Sequence, residues 1–256
     1  MAANLYEADL KETLANRKRL RSNLNLMYWY DRLYQHQFAA EPNIGSAHIL
    51  EIGSGTSPLK HFAPSVMTSD VLPLDYVDVV FDCHTIKDLD EIDNGSIDII
   101  TMTNVLHHLR DPLAFLRAAA IKLAPGARVY MAEPYFSAIS YPMYKLLHHE
   151  PVDFRINRPI LEKVEGPLST SNQAIPHMIF FSRPDWLDEI SDVYDLDKTS
   201  VSYFTGISYP MTGGISRRFP LPASVYRAAF AVDYALSNWL PKVFASFFIA
   251  RLVTKK

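Results

Sequence analysis

Along the first forty residues, apolar side chains recur at helical spacing among Lys, Arg, Glu and Asn. This predicts a helical preface over 1–40 that carries the aromatic cluster Tyr28-Trp29-Tyr30. From residue 48 the rhythm changes to short apolar runs broken by turns. The run 48–52 reads as a buried strand, Gly53-Ser54-Gly55 punctuates it, and Ser57-Pro58 reads as a helix start with Ser as cap and Pro at the first helical position. "SVMTSD" (65–70), "YVDVVFD" (76–82) and "SIDIITMTN" (96–104) predict strands two to four. Asp111-Pro112 opens a helix over "LAFLRAAAIKLA", Pro125-Gly126 ends it, and "ARVYMAEP" (127–134) is a fifth strand.

Beyond 135 the pattern is less regular. "YPMYKLLHHE" and "RPDWLDEIS" read as short helices and 151–182 as loop-rich. "LDKTSVSYF" (196–204) alternates like a strand, "PASVYRAAFAVDYALSNWL" is a long helix, and 244–254 is a final apolar run. Strands alternating with crossovers argue for an α/β fold with a doubly wound parallel sheet. Such a sheet gathers ligands at the carboxyl ends of its strands.

Every chemically interesting group falls at such an end. Glu51, Gly53 and Gly55 follow strand one, Asp70 ends strand two, Asp82-Cys83 end strand three, and Asn104 to His108 end strand four. Glycines before a helix start let a ligand approach the backbone and free N–H groups. Asp70, fifteen residues beyond Gly55, suits a carboxylate that accepts from both hydroxyls of a ribose. A nicotinamide dinucleotide fits less well. Its fingerprint wants a small third residue where Pro58 stands, and Glu51 would repel a pyrophosphate. Glu51 suits an amino group, directly or through water, and an adenosine joined to an amino acid tail is S-adenosylmethionine.

Composition changes this picture little. The 256 residues are 48% hydrophobic and 21% charged, enough for a full core in one large α/β domain, and the net charge of −3 gives no general pull toward nucleic acid. The single cysteine excludes an internal disulfide and the usual zinc patterns, so no metal is expected; "HHE" at 148–150 places adjacent histidines in different directions on a helix. A cytoplasmic location is expected, since the polar N-terminus has no apolar signal core. Peripheral membrane contact through the basic cluster Arg17, Lys18, Arg19 and Arg21 and the apolar tail is the alternative.

The chain resembles a class I S-adenosylmethionine-dependent methyltransferase of the small-molecule type. The resemblance runs from about 48 to 134, through "LEIGSGTS", "TSDVLP", "VVFDCHTIKDL", "SIDIITMTNVLHHLRDP" and "LRAAAIKLAPGARVYMAEP". It implies a Rossmann-like seven-stranded sheet of order 3-2-1-4-5-7-6, with strand six at 196–204 and an antiparallel strand seven at 246–254. It also implies that Glu51, Gly53 and Gly55 hold the methionine part and that Asp70 holds the ribose. Asp82 and the Cys83 N–H would meet adenine, and Asn104 would line the methionine end. The expected division is a helical preface or lid over 1–42 and a methyltransferase domain over 43–256, with acceptor-side insertions at 135–195 and 205–243. His107, His108, His148 and His149 are candidate general bases toward an oxygen of a small-molecule, glycan or lipid-linked acceptor; a nitrogen acceptor would need none. A non-catalytic scaffold and a nicotinamide oxidoreductase are the rival readings, and oligomeric state is left open.

Overall fold

The computed structural model of the protein describes residues 2–147, 150–167, 169–214 and 221–255. Its seven strands are β1 (Ile49–Ile52), β2 (Met67–Asp70), β3 (Val79–Val80), β4 (Ile97–Thr103), β5 (Leu123–Pro134), β6 (Ser200–Tyr203) and β7 (Phe247–Val253). They form one sheet in the order β3-β2-β1-β4-β5-β7-β6. Strands one to five run parallel, and β7 lies antiparallel between β5 and β6. This is the class I methyltransferase order that the resemblance implied, final hairpin included.

The helices are α1 (Ala2–Ser22), α2 (Leu24–Gln37), α3 (Leu59–Phe62), α4 (Pro112–Ala119), α5 (Ser140–Leu147), α6 (Ala174–His177), α7 (Pro184–Asp188), α8 (Ser208–Met211), α9 (Ala223–Trp239) and α10 (Pro241–Phe244). Successive strand residues point to opposite faces, and the two cores follow that rule. Leu50, Met102, Met131 and Phe248 pack on the face covered by α4, α6 and α7. Ile49, Tyr130, Ala132 and Phe247 pack on the face covered by α2 and α9. Among the described residues no helix is long and apolar enough to cross a membrane.

Three local expectations are corrected. The third strand, expected over 76–82, pairs only at Val79–Val80. Before it, the Asp78 carboxylate takes the Thr68 N–H at 2.8 Å, together with the Thr68 hydroxyl and Lys60, so side-chain bonds replace part of the ladder. The helix after Asp111 ends at Ala119 and not at Pro125-Gly126. Ile97 pairs with Leu123 but Ile99 with Arg128, so Pro125-Gly126 forms a bulge inside β5, with Gly126 at φ +76°. The short helix after the glycines starts one residue late, at Leu59, whose N–H bonds the Ser57 hydroxyl at 3.1 Å.

The aromatic cluster is core. Trp29 is fully buried, donates its indole N–H to the Thr205 hydroxyl at 2.8 Å, and packs edge-on to Phe204, Tyr209 and Phe247. Covering of the strand ends falls instead to α1.

Candidate functional site

The glycine loop is built by close approach. Gly53 has φ +73°, and a Cβ there would stand 2.5 Å from Val105 Cγ2. Gly55 needs no unusual backbone angle; its missing Cβ makes room for the Thr13 methyl of α1 and for the Asp70 carboxylate. The Asp70 Oδ2 accepts the Gly55 N–H at 2.8 Å and its Oδ1 the Leu72 N–H at 2.9 Å. Asp70 therefore ties the end of β2 to the loop after β1. Burial raises its pKa, and the backbone N–H groups on it pull the other way.

Glu51 is buried beside this loop. The Ser54 hydroxyl donates to one of its oxygens at 2.7 Å and the Ser57 hydroxyl to the other at 2.5 Å. Burial pushes its pKa up to about 7 from an ordinary 4.5, against the pull of the two serines. The fold therefore favours the neutral carboxyl. This contribution to stability is complete below pH 4.5, declines as pH rises toward 7, and is gone above; its full size is about 3 kcal/mol. Thermal melts of the wild type and Glu51→Gln from pH 4 to 8 should show the variant gaining on the wild type across that window and running parallel above it. Parallel curves throughout would disprove the assignment.

Helix α1 lies across both strand ends. The Tyr6 hydroxyl donates to the Val71 carbonyl at 2.9 Å, and Ser169 donates to Asp9 at 3.0 Å. Arg17 of the basic cluster stacks 3.5 Å over the Tyr76 ring while the Tyr76 hydroxyl donates to the Gly55 carbonyl at 2.7 Å. Arg19 does face solvent, paired with Glu12. The buried Thr13 hydroxyl beside Gly55 has no hydrogen-bond partner.

At the end of β3, Asp82 is exposed and accepts the His84 N–H at 2.9 Å, capping the turn Cys83–Asp88. The Cys83 thiol is buried, and burial raises its pKa. At the end of β4, Asn104 adopts φ +55°, a left-handed conformation that asparagine tolerates better than most residues. The chain then turns through Leu106–His108, so the rings of His107 and His108 lie 4.3 Å apart.

Two carboxylates meet those histidines: Glu133, which was not anticipated as a site group, and Glu150 of the "HHE" stretch. Glu133, fully buried at the end of β5, accepts the Val105 and Leu106 N–H groups at 2.9 and 2.7 Å and bonds His107 Nδ1 at 2.5 Å. Glu150 lies 3.2 Å from His107 Nε2 and 3.7 Å from His108 Nε2. Burial opposes charge on His107, but the carboxylates on both sides outweigh it and lift its pKa to about 10. Burial and the neighbouring His107 push His108 down to about 4. His148 and His149 lie outside the described residues. Glu133 obeys the strand-end rule that singled out Asp70 and Asp82; Glu150 was legible only as the end of the "HHE" stretch.

The strand ends thus bring Glu51, Gly53, Gly55 and Asp70 into one cluster and His107 and His108 into another, with Asn104 and Val105 between them. A model of the methyltransferase domain family matches residues 25–185. The chain belongs to that family. No curated protein matches the sequence of this methyltransferase. Solved structures similar to it include an S-adenosylmethionine-dependent methyltransferase from Archaeoglobus fulgidus, with 13% identity, TM-score 0.46, and 88% of this chain and 94% of that chain covered. A second is a putative methyltransferase in complex with the Trm112 methyltransferase activator of Haloferax volcanii, with 14% identity, TM-score 0.49 and coverages of 96% and 97%. A third is the N-methyltransferase NodS from Bradyrhizobium japonicum bound to S-adenosylhomocysteine, with 13% identity, TM-score 0.45 and coverages of 93% and 91%.

Proposed function

We propose that this methyltransferase moves a methyl group from S-adenosylmethionine to an oxygen or nitrogen of a small, lipid-linked acceptor. The observation that carries the cofactor assignment is the junction of Asp70 with the glycine loop, beside the buried Glu51, in a chain of the methyltransferase domain family. The residues fit that cofactor. Gly53 and Gly55 bring the backbone of the loop close to its neighbours without side chains of their own, and the Thr13 methyl packs at Gly55 while its buried hydroxyl has no hydrogen-bond partner. When bound, S-adenosylmethionine supplies a sulfonium methyl already activated for attack.

The chain's own task is then alignment and exclusion of water. Asp70 keeps acceptor capacity for ribose hydroxyls, because each carboxylate oxygen takes more than one donor. Glu51 stands for the methionine amino group, directly or through Ser57, and Asn104 for the methionine end. Asp82 and the Cys83 N–H stand for the adenine. Helix α1 acts as the lid over the loop, while α2 packs into the core. The remainder is the catalytic domain, with acceptor-side insertions at 135–195 and 205–243. His107 and His108 flank the methyl side.

The acceptor class is read from the rim beyond β5. Tyr135, Phe136, Phe154 and Phe181 surround His177, whose pKa burial lowers to about 4. Next to them, the Ala138 and Ile139 N–H groups bond the Lys242 and Val243 carbonyls, joining two segments that expose Ile139, Tyr141, Trp239, Leu240 and Val243. Trp239 is 73% exposed. Lys145 and Lys242 are the charged residues of 135–147 and 239–244, and neither segment has an acid. Apolar and aromatic side chains edged by lysines suit an anionic lipid surface.

Calorimetry with S-adenosylmethionine and with NAD, beside sedimentation with vesicles of phosphatidylcholine with and without phosphatidylglycerol, tests both halves. Saturable binding of the first ligand alone, with uptake on anionic vesicles that Trp239→Ala weakens, is expected. NAD binding would overturn the cofactor. Absence from both kinds of vesicle would overturn the lipid-linked acceptor and leave methyl transfer standing.

A further inference from the structure

We propose that His107, His108 and Glu150 form a site for one zinc-like divalent cation, which displaces the Nε2 proton of His107 to solvent and is ligated by His107 Nε2, His108 Nε2 and the Glu150 carboxylate. One ligand atom from each of the three residues lies within 4.8 Å of those of the other two. Ligands about 2.1 Å from a tetrahedral zinc stand about 3.4 Å apart. Glu150 Oε2 lies 3.2 Å from His107 Nε2 and Oε1 lies 3.7 Å from His108 Nε2, so its carboxylate reaches both rings at about that spacing.

The surrounding hydrogen bonds orient both rings for this task. Glu133 holds His107 Nδ1, and the Thr170 carbonyl takes the proton of His108 Nδ1 at 2.8 Å. With Nδ1 donating to that carbonyl, His108 offers its Nε2 on the side of Glu150. A carboxylate or carbonyl on the far nitrogen is also the usual arrangement behind a metal-bound histidine.

The site is held from both sides by one segment. The Asn172 N–H bonds the His107 carbonyl at 2.9 Å. The Gln173 N–H bonds the Pro151 carbonyl at 3.0 Å, and its side-chain amide donates to Glu150 at 3.0 Å. Adjacent histidines converge here because the chain leaves β4 through the left-handed Asn104 into a tight turn, where on a regular helix they would diverge. Two imidazoles and one carboxylate are a donor set for zinc rather than magnesium. The fourth position would take water or an oxygen of the acceptor, and this last role rests on the methyl-transfer reading.

The test is calorimetry of chelator-treated full-length protein with zinc chloride, with and without S-adenosylmethionine, beside His108→Ala, Glu150→Gln and Glu133→Gln. One saturable equivalent is expected. Affinity should fall more than about 100-fold in the first two variants and about 10- to 100-fold in the third. Nitrogen NMR of the wild-type imidazoles gives a reading that needs no variant to fold: zinc should shift Nε2 of two histidines and leave their Nδ1 protonated. No uptake, or uptake with these two rings unchanged, overturns the proposal and leaves His107 as a proton-bearing bridge between Glu133 and Glu150. Zinc binding without cofactor binding would keep the site and sink the methyl-transfer reading; the reverse would sink the site alone.

Discussion

Asp70→Ala should weaken S-adenosylmethionine binding at least about 100-fold. A hydrogen bond to a charged group contributes about 1.5–3 kcal/mol, and two ribose hydroxyls would be lost together. The substitution also frees the Gly55 and Leu72 N–H groups, so the loop after β1 loses its tie to β2. Asp70→Asn separates the two effects. Its amide oxygen still accepts from one N–H, so the loop is partly held while the charge is gone. Calorimetry of both variants, with melts to establish folding, provides the reading. Unchanged affinity in a folded Asp70→Ala protein would show that the ribose is held elsewhere.

Trp29→Ala should lower stability by about 3–5 kcal/mol, the usual cost of emptying a large buried aromatic site. The indole fills the junction of α2, β7 and the chain after β6, and its N–H serves a Thr205 hydroxyl that has no access to water. For a chain of this size the melting temperature should fall on the order of 10 °C. Trp239→Ala, at an exposed position, should stay within about 0.5 kcal/mol of the wild type. Thermal melts followed by circular dichroism compare the two. Equal shifts would mean that the face of the sheet beneath α2 contributes little to cooperativity.

The contrast between these tryptophans shows where sequence reading stops. Both sit in helical patterns rich in aromatic residues, and the sequence alone placed Tyr28-Trp29-Tyr30 only on a helical preface or lid. Which face of a helix meets the sheet depends on partners from elsewhere in the chain: for Trp29 these are Phe204, Tyr209 and Phe247, about 180 to 220 residues away.

The alternation of strand and crossover was legible from local pattern, because a buried strand must be apolar and its turns must be polar or glycine-rich. Right-handed crossovers then leave few ways to order five parallel strands. The same rule placed Glu51, Asp70, Asp82 and Asn104 at one edge of the sheet. Glu133 ends the fifth strand in the same way, and only its contact with His107 reveals a role. Local pattern was least informative where side chains replace backbone pairing, as at Asp78 and at the Pro125-Gly126 bulge.

What the sequence by itself determined is therefore the doubly wound parallel sheet and the addresses of its strand-end carboxylates, which follow from periodicity, while the strand order and the final hairpin came with the family resemblance. The tertiary structure alone decided that α1 covers the glycine loop and that Glu150 meets His107 and His108. Those contacts join segments about 40 residues apart, and no short-range preference encodes them. They exist because the packed sheet brings distant loops together and burial makes each polar group find a partner.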